Sequence, residues 1–315
     1  MTPDILLHHY PSSPFAEKIR AILGYKNLAW KSVYQPMIMP KPDLQSLTGG
    51  YRRIPVLQIG NQVVCDTMLI CDELEHLNPE RTLYPQGQNG LARTVAQWAD
   101  QQLFPVAMAF NFQPAGAAHV FKDQPPENLK AFVADRQAMR GGAPRMHFAD
   151  AAASYKSYLR RISNMLDGQK FLLGRAPSVA DFAVYHPLWF TRNIVPPLAS
   201  VLDATPNILA WMDRMAAFGH GQVSKSNATE SIALCEESVP DSSLFGVNNA
   251  FQDEHGIALG SQVIITADSF GPEPTVGELV AATRTRYTLR REDARTGEVF
   301  VHFPRIGFIL KKVDA

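Results

Sequence analysis

The chain opens with short apolar runs that alternate with one helical pattern. Asp4 to His8 reads as a strand, and Pro14 sits at the first turn of a helix, where its missing N–H costs nothing. Trp30 to Tyr34 reads as a second strand, and Lys41-Pro42-Asp43 opens a short helical or irregular stretch. Arg53 to Val64 holds two β-branched runs joined at Gly60-Asn61, a two-residue hairpin turn. Asp66-Thr67 then begins a helix through about His76. From about Gly90 to Gly219 the period becomes helical, with apolar stripes at Leu91, Val95, Trp98 and Leu103 and at Leu159, Ile162 and Leu166. Ser178 and Asp181 form a capping box ahead of Phe182, Ala183 and Tyr185, a folding element. Ser224 to His255 is polar and broken by Pro240 and Gly246, which predicts a wrapping connector with short helices. After it the period is β again, over Gln262 to Asp268, Leu279 to Arg290, Glu298 to Phe303 and Ile306 to Val313. Arg295-Thr296-Gly297 reads as a hairpin turn, so this stretch predicts a small meander or barrel.

A strand followed by a helix is the opening of a βαβ unit. Ser13-Pro14-Phe15-Ala16-Glu17-Lys18-Ile19 occupies the place where a thioredoxin-like fold carries its redox Cys-x-x-Cys, and both cysteine positions are gone. Backbone N–H groups at a helix start favour an anion and lower the pKa of a thiol there. A serine cannot form a mixed disulfide, but its hydroxyl can donate a hydrogen bond to another molecule's thiolate and hold it as a nucleophile. Ser12 is the adjacent hydroxyl and shares the candidacy, and Tyr10 is a third candidate whose place after the first strand favours a wall role.

These residues resemble the glutathione transferase superfamily, most closely its omega-like and related bacterial members, over about residues 1–220. Ser13-Pro14-Phe15 corresponds to the family's Cys/Ser-Pro-Phe turn, Ile54-Pro55 to its hydrophobic residue before a cis-proline, and Asp66-Thr67 stands where Glu-Ser is usual. The resemblance implies that the backbone at Ile54 and Pro55 pairs with the cysteinyl unit of glutathione, as an added strand would. It implies that Asp66 and Thr67 hold the γ-glutamyl end at a helix start, and that Lys41 approaches the tripeptide's other carboxylate. Glutathione would be a co-substrate, with no metal. The fold implied is α/β plus all-α: a thioredoxin-like βαβαββα domain over 1–85, a helical domain over 90–220, and an unmatched connector with a small β-rich extension over 221–315. An electrophile pocket is expected between the first two, walled by Phe104 to Phe112, and the long stretch from Phe112 to Arg145 is placed to shape or cover it. The family also implies a homodimer.

Composition narrows the setting. At 315 residues and 46% hydrophobic, the chain can bury a large core. Its formal net charge of zero argues against a nucleic-acid surface or a polybasic membrane anchor. Cys65, Cys71 and Cys235 lack metal-ligand spacing, and Cys65 reads as core. No signal segment or long apolar run is seen, so a cytoplasmic protein without membrane contact is expected. Arg284, Arg286, Arg290 and Arg291 alternate as on a solvated strand face.

Two function classes follow. One is a detoxifying transferase that activates the glutathione thiol and conjugates it to a small apolar electrophile. The other is a non-catalytic binding or scaffold protein of the same fold, whose β-rich extension mediates an interaction.

Overall fold

The computed structural model describes residues 4–144, 146–236, 251–252 and 254–313. Pro240 and Gly246, predicted to break the connector, lie outside the described residues, as does Arg145. Leu6–His9 (β1), Pro14–Tyr25 (α1) and Ala29–Tyr34 (β2) form the βαβ unit, with β1 and β2 parallel and His8 opposite Val33. Pro42–Thr48 (α2) leads into the predicted hairpin of Val56–Ile59 (β3) and Gln62–Cys65 (β4), and Thr67–Leu77 (α3) follows. This is the expected thioredoxin-like order.

In the helical part, Asn89–Trp98 (α4) runs through a π turn at Ala99–Leu103 into Phe104–Asn111 (α5). Pro105 has no N–H to give the carbonyl of Gln101, so the ladder must widen or break there, and the π turn keeps the helix continuous. Pro114–Val120 (α6), Pro126–Arg140 (α7), Phe148–Met165 (α8), Val179–Trp189 (α9) and Pro206–Ala216 (α10) complete this part. α9 is buried on every side, between α1 and α4, and its start carries the predicted box: Ser178 N–H donates to Asp181 Oδ2 at 2.9 Å. Asp181 Oδ1 accepts from Trp211 Nε1 at 3.0 Å and from Leu172 N–H at 2.8 Å, which confirms its structural role.

The last part returns to the first sheet. Gln222–Ser226 (β5) lies parallel to β2, and Ala228–Glu236 (α11) follows it. Gln262–Ala267 (β6), Thr275–Ala282 (β7), Arg286–Asp293 (β8), Gly297–Pro304 (β9) and Phe308–Lys312 (β10) form the predicted meander. Leu279 to Arg290, which alternates as one strand would, is two strands. Thr283 Oγ1 accepts from the N–H groups of Thr285 and Arg286, both at 3.3 Å, and turns the chain between them. β9 pairs in parallel with β4, Val63 opposite Val301, giving one ten-stranded sheet in the order β10-β6-β7-β8-β9-β4-β3-β1-β2-β5.

The sheet separates two apolar cores. Leu7, Leu57 and Val64 face α1, α3 and the helical part. Val56, Val63 and Cys65 face α2 and share a core with Val263, Leu289 and Val301 of the meander. Among the described residues, no helix is long and apolar enough to cross a membrane.

Candidate functional site

The turn before α1 is fixed from beneath. Ser13 is the N-cap: its N–H donates to Tyr10 O at 3.1 Å, and its Oγ accepts from Ala16 N–H at 3.2 Å. Arg20, about two helical turns further on, donates to Pro11 O at 2.9 Å and pairs with Glu17 at 2.8 Å. The Ser13 side chain is only 1% exposed, whereas Ser12 beside it is half-buried. Capping uses an acceptor lone pair of Ser13, so its O–H remains a donor. Phe15 turns outward against the helical part, its ring 4.5 Å from Phe104 and 4.6 Å from His186. Phe104 thus packs on Phe15, while Val106, Ala107 and Phe110, expected to wall the pocket as well, are core, and Phe112 stacks on Phe132 at 5.3 Å.

The Ile54-Pro55 bond is cis, as the resemblance implies, and Ile54 is half-buried at the entry to β3. Asp66 caps α3 from a left-handed conformation (φ 71°), its Oδ1 accepting from Met68 N–H at 2.9 Å. Its other oxygen lies 3.7 Å from Arg53, which precedes Ile54. Thr67 is buried, and its Oγ1 accepts from Lys18 Nζ at 3.2 Å. The Thr67 hydroxyl hydrogen is thereby left for an external acceptor.

Lys18 had no assigned role in the sequence reading. It is buried, and besides Thr67 it meets Asp100 on the π turn at 2.6 Å, whose other oxygen accepts from His186 Nε2 at 3.0 Å. Burial works against both charges. For Lys18 the Asp100 carboxylate outweighs it and holds the ammonium pKa up, and for Asp100 the Lys18 charge and the His186 hydrogen bond hold the carboxyl pKa down. Burial lowers the pKa of His186, so it donates as a neutral imidazole.

Lys41 is 4% exposed and donates to Arg52 O at 3.2 Å. Burial first, then the nearby Arg136 and Arg52 guanidinium groups, lower its pKa to about 8, against the opposing Asp135 and Glu273. Arg52 pairs with Asp135 of α7 and, at 2.8 Å, with Glu273 of the β6–β7 loop. α7 is thus tied to the thioredoxin-like part beside Lys41, where Arg136 also donates to Met37 O at 3.1 Å.

Contacts therefore run without a gap from Lys41 through Arg52, Arg53, Asp66 and Thr67 to Lys18 in α1, the helix Ser13 caps. The thiols take no part. Burial drives the pKa of Cys65 well up and that of Cys71 up to about 12. A groove of about 830 Å³ lies elsewhere, lined by Phe110, Lys156, Leu159, Arg160, Leu198 and Val201, all of the helical part. The alternating arginines are not one solvated face: Arg286 is buried against Glu73 of α3, while Arg290 is exposed and pairs with Glu278.

Known proteins match this arrangement. The family model of the glutathione S-transferase N-terminal domain matches residues 7–82, and that of the C-terminal domain matches 145–214. A GST-like protein from Pseudomonas syringae is 38% identical, superposes with a TM-score of 0.79, and covers 99% of this chain and 100% of its own. FtsZ-localized protein A of Caulobacter vibrioides is 25% identical over 188 residues, 58% of this chain and 75% of that protein. Glutathione S-transferase U4 of Arabidopsis thaliana is 22% identical over 106 residues, 33% of this chain and 47% of that one.

Proposed function

Because the chain belongs to the glutathione transferase superfamily, we propose that it binds glutathione along the line of contacts from Lys41 to Ser13 and activates its thiol. The observation that carries this reading is the Thr67 hydroxyl, whose oxygen accepts from the buried Lys18, so that its hydrogen is left to donate. The γ-glutamyl carboxylate takes that hydrogen and the amide groups at the start of α3, and the amine lies toward Asp66. The cysteinyl backbone pairs with the edge at Ile54 before cis-Pro55, and the glycyl carboxylate points to Lys41. The sulfur then lies at the start of α1, where the hydroxyl of Ser13, or of the more exposed Ser12, donates to the thiolate.

The thiol gives its proton to solvent, and the thiolate attacks an electrophilic carbon in the space walled by Phe15 and Phe104. A thioether forms as the leaving group departs with the bonding electrons, or, at an activated double bond, as the π pair shifts to the neighbouring atom and that atom takes a proton from solvent. Proximity and thiolate stabilisation supply the catalysis. A cytoplasmic homodimer belongs to the same reading, its mass to be checked by light scattering.

A second reading, a non-catalytic binding protein of the same fold, is favoured by the burial of Ser13 and Lys41 and by the similarity to FtsZ-localized protein A. Calorimetric titration of glutathione and of S-methylglutathione separates them from a protein with no glutathione site. Binding by the wild type, lost in the Asp66→Ala, Thr67→Ala double variant, supports the site; turnover of an aryl halide then decides between transferase and scaffold. A folded protein that binds neither ligand would refute the first reading.

A further inference from the structure

Apart from residues 1–6, two stretches of the chain lie outside both family-model matches, residues 83–144 and 215–315, and they converge on one side chain. Arg52, two residues before Ile54, takes Asp135 from the first stretch on one nitrogen and Glu273 from the second on the other. Lys41 and Arg136 complete a cluster of three cations and two carboxylates, at the end of the proposed glutathione site assigned to the glycyl carboxylate.

The two carboxylates are held differently. The Asp135 side chain is 8% exposed and engaged throughout, accepting from Arg52, Arg136 and the N–H of Met39. Glu273 is 34% exposed, and only its Oε1 is engaged, at 2.8 Å from Arg52; Oε2 is buried without a hydrogen-bond partner. Arg52 Nε is likewise a buried donor without a partner. The backbone around Glu273 is tied down, since Gly271 N–H donates to Met139 O at 2.7 Å and Thr275 Oγ1 donates to Thr48 O at 3.1 Å. Glu273 itself can leave by rotating its side chain.

We propose that Glu273 is an internal stand-in for the ligand's carboxylate: it pairs with Arg52 where the ligand's glycyl carboxylate would bind, and glutathione seats fully only by displacing it. This rests on glutathione being the ligand. With Glu273 in place the cluster carries one net positive charge, three cations against two carboxylates, so a third carboxylate is still attracted. When that carboxylate arrives, the Glu273 side chain swings into water and the ligand takes over Arg52 and Lys41. The apparent affinity is reduced by the fraction of time Glu273 is seated, which gives the extension a hold on ligand binding.

The test is calorimetric titration of glutathione, and of γ-glutamylcysteine, which lacks the glycyl carboxylate, into the full chain and its Glu273→Gln and Glu273→Asp variants, with circular dichroism to confirm folding. Glu273→Gln is expected to bind glutathione about three- to tenfold more tightly and γ-glutamylcysteine within about twofold of wild type. Glu273→Asp keeps the charge but shortens its reach, and an intermediate gain is expected. A wild type that binds glutathione with an affinity Glu273→Gln leaves unchanged or weakens overturns the proposal and leaves the glutathione reading standing. Equal gains for both ligands also overturn it, and absence of glutathione binding in every protein overturns both.

Discussion

Lys18 donates its buried ammonium to Asp100 at 2.6 Å, and that contact spans the two family-type parts of the molecule. Lys18 belongs to the helix that Ser13 caps, Asp100 to the π turn between α4 and α5. The same ammonium supports the Thr67 hydroxyl. On the glutathione reading, seating of the γ-glutamyl end is coupled to the packing of the helical part on α1.

Asp100→Asn is expected to destabilise the protein by roughly 3–5 kcal/mol, because it leaves the Lys18 charge buried without its counter-ion. Urea denaturation reads this directly. The Lys18→Met, Asp100→Leu pair should recover much of the loss, since two apolar groups of similar volume leave no charge behind. A cost below about 1 kcal/mol for Asp100→Asn would mean that water already reaches the pair.

Mild acid is expected to destabilise the fold through two histidines of β1. His8 has its pKa lowered to about 4 by burial, against its hydrogen bond to Gln58 and the pull of Asp43; Gln35 also faces it. His9 is lowered to about 3 by burial and then by Arg20, His8 and His220, with Ser32 on its Nε2. Both are neutral when folded and bind protons more readily when unfolded. Their stability contribution is complete above the unfolded pKa near 6.5 and falls as pH drops from there toward 4. Denaturation at pH 7 and at pH 5 should differ by about 2–4 kcal/mol from these two groups. Equal stability at both pH values would show that the imidazoles accept protons in place.

Ser13 and Ser12 should separate by experiment. Ser13→Ala removes a cap and is expected to cost about 1 kcal/mol of stability, whereas Ser12→Ala leaves stability nearly unchanged. On the transferase reading, Ser13→Ala also raises the pKa of bound glutathione by about one unit while weakening binding by less than about threefold. Ultraviolet absorbance of the bound thiolate against pH gives that pKa. If Ser12→Ala shifts the thiolate titration and Ser13→Ala does not, the half-buried hydroxyl is the one that meets the sulfur.

Much of the fold was legible in the sequence because its signals are local. Pro14 behind Ser13, the Gly60-Asn61 turn and the Ser178–Asp181 box each fix a few bonds between near neighbours, and each appears where expected. Ile54-Pro55 and Asp66-Thr67 were legible through family resemblance. What escaped depends on distant partners. Lys18 meets a carboxylate 82 positions away and Arg52 one 221 positions away, and no local periodicity encodes either. The turn at Thr283 escaped for another reason: alternating threonine and arginine fits a half-exposed strand, and the reversal shows only in the bonds the folded chain makes, Thr283 N–H to Arg286 O and two following N–H groups to Thr283 Oγ1.

The sheet also makes a prediction about the extension. A module added for interaction alone would be removable. Here β9 covers the edge of β4, and Leu44, Leu47, Tyr51, Val56 and Val63 are buried against residues such as Val263, Leu289, Val301 and Phe303. A chain ending at residue 236 would expose both an unpaired strand edge and an apolar face, a combination that templates aggregation. Expression of that truncation is expected to give insoluble or multimeric protein, while the full chain stays soluble. Size-exclusion chromatography with thermal denaturation distinguishes the cases. A truncated protein that elutes as a single species and melts as the full chain does would show that the extension is an independent appendage and that the shared core contributes little.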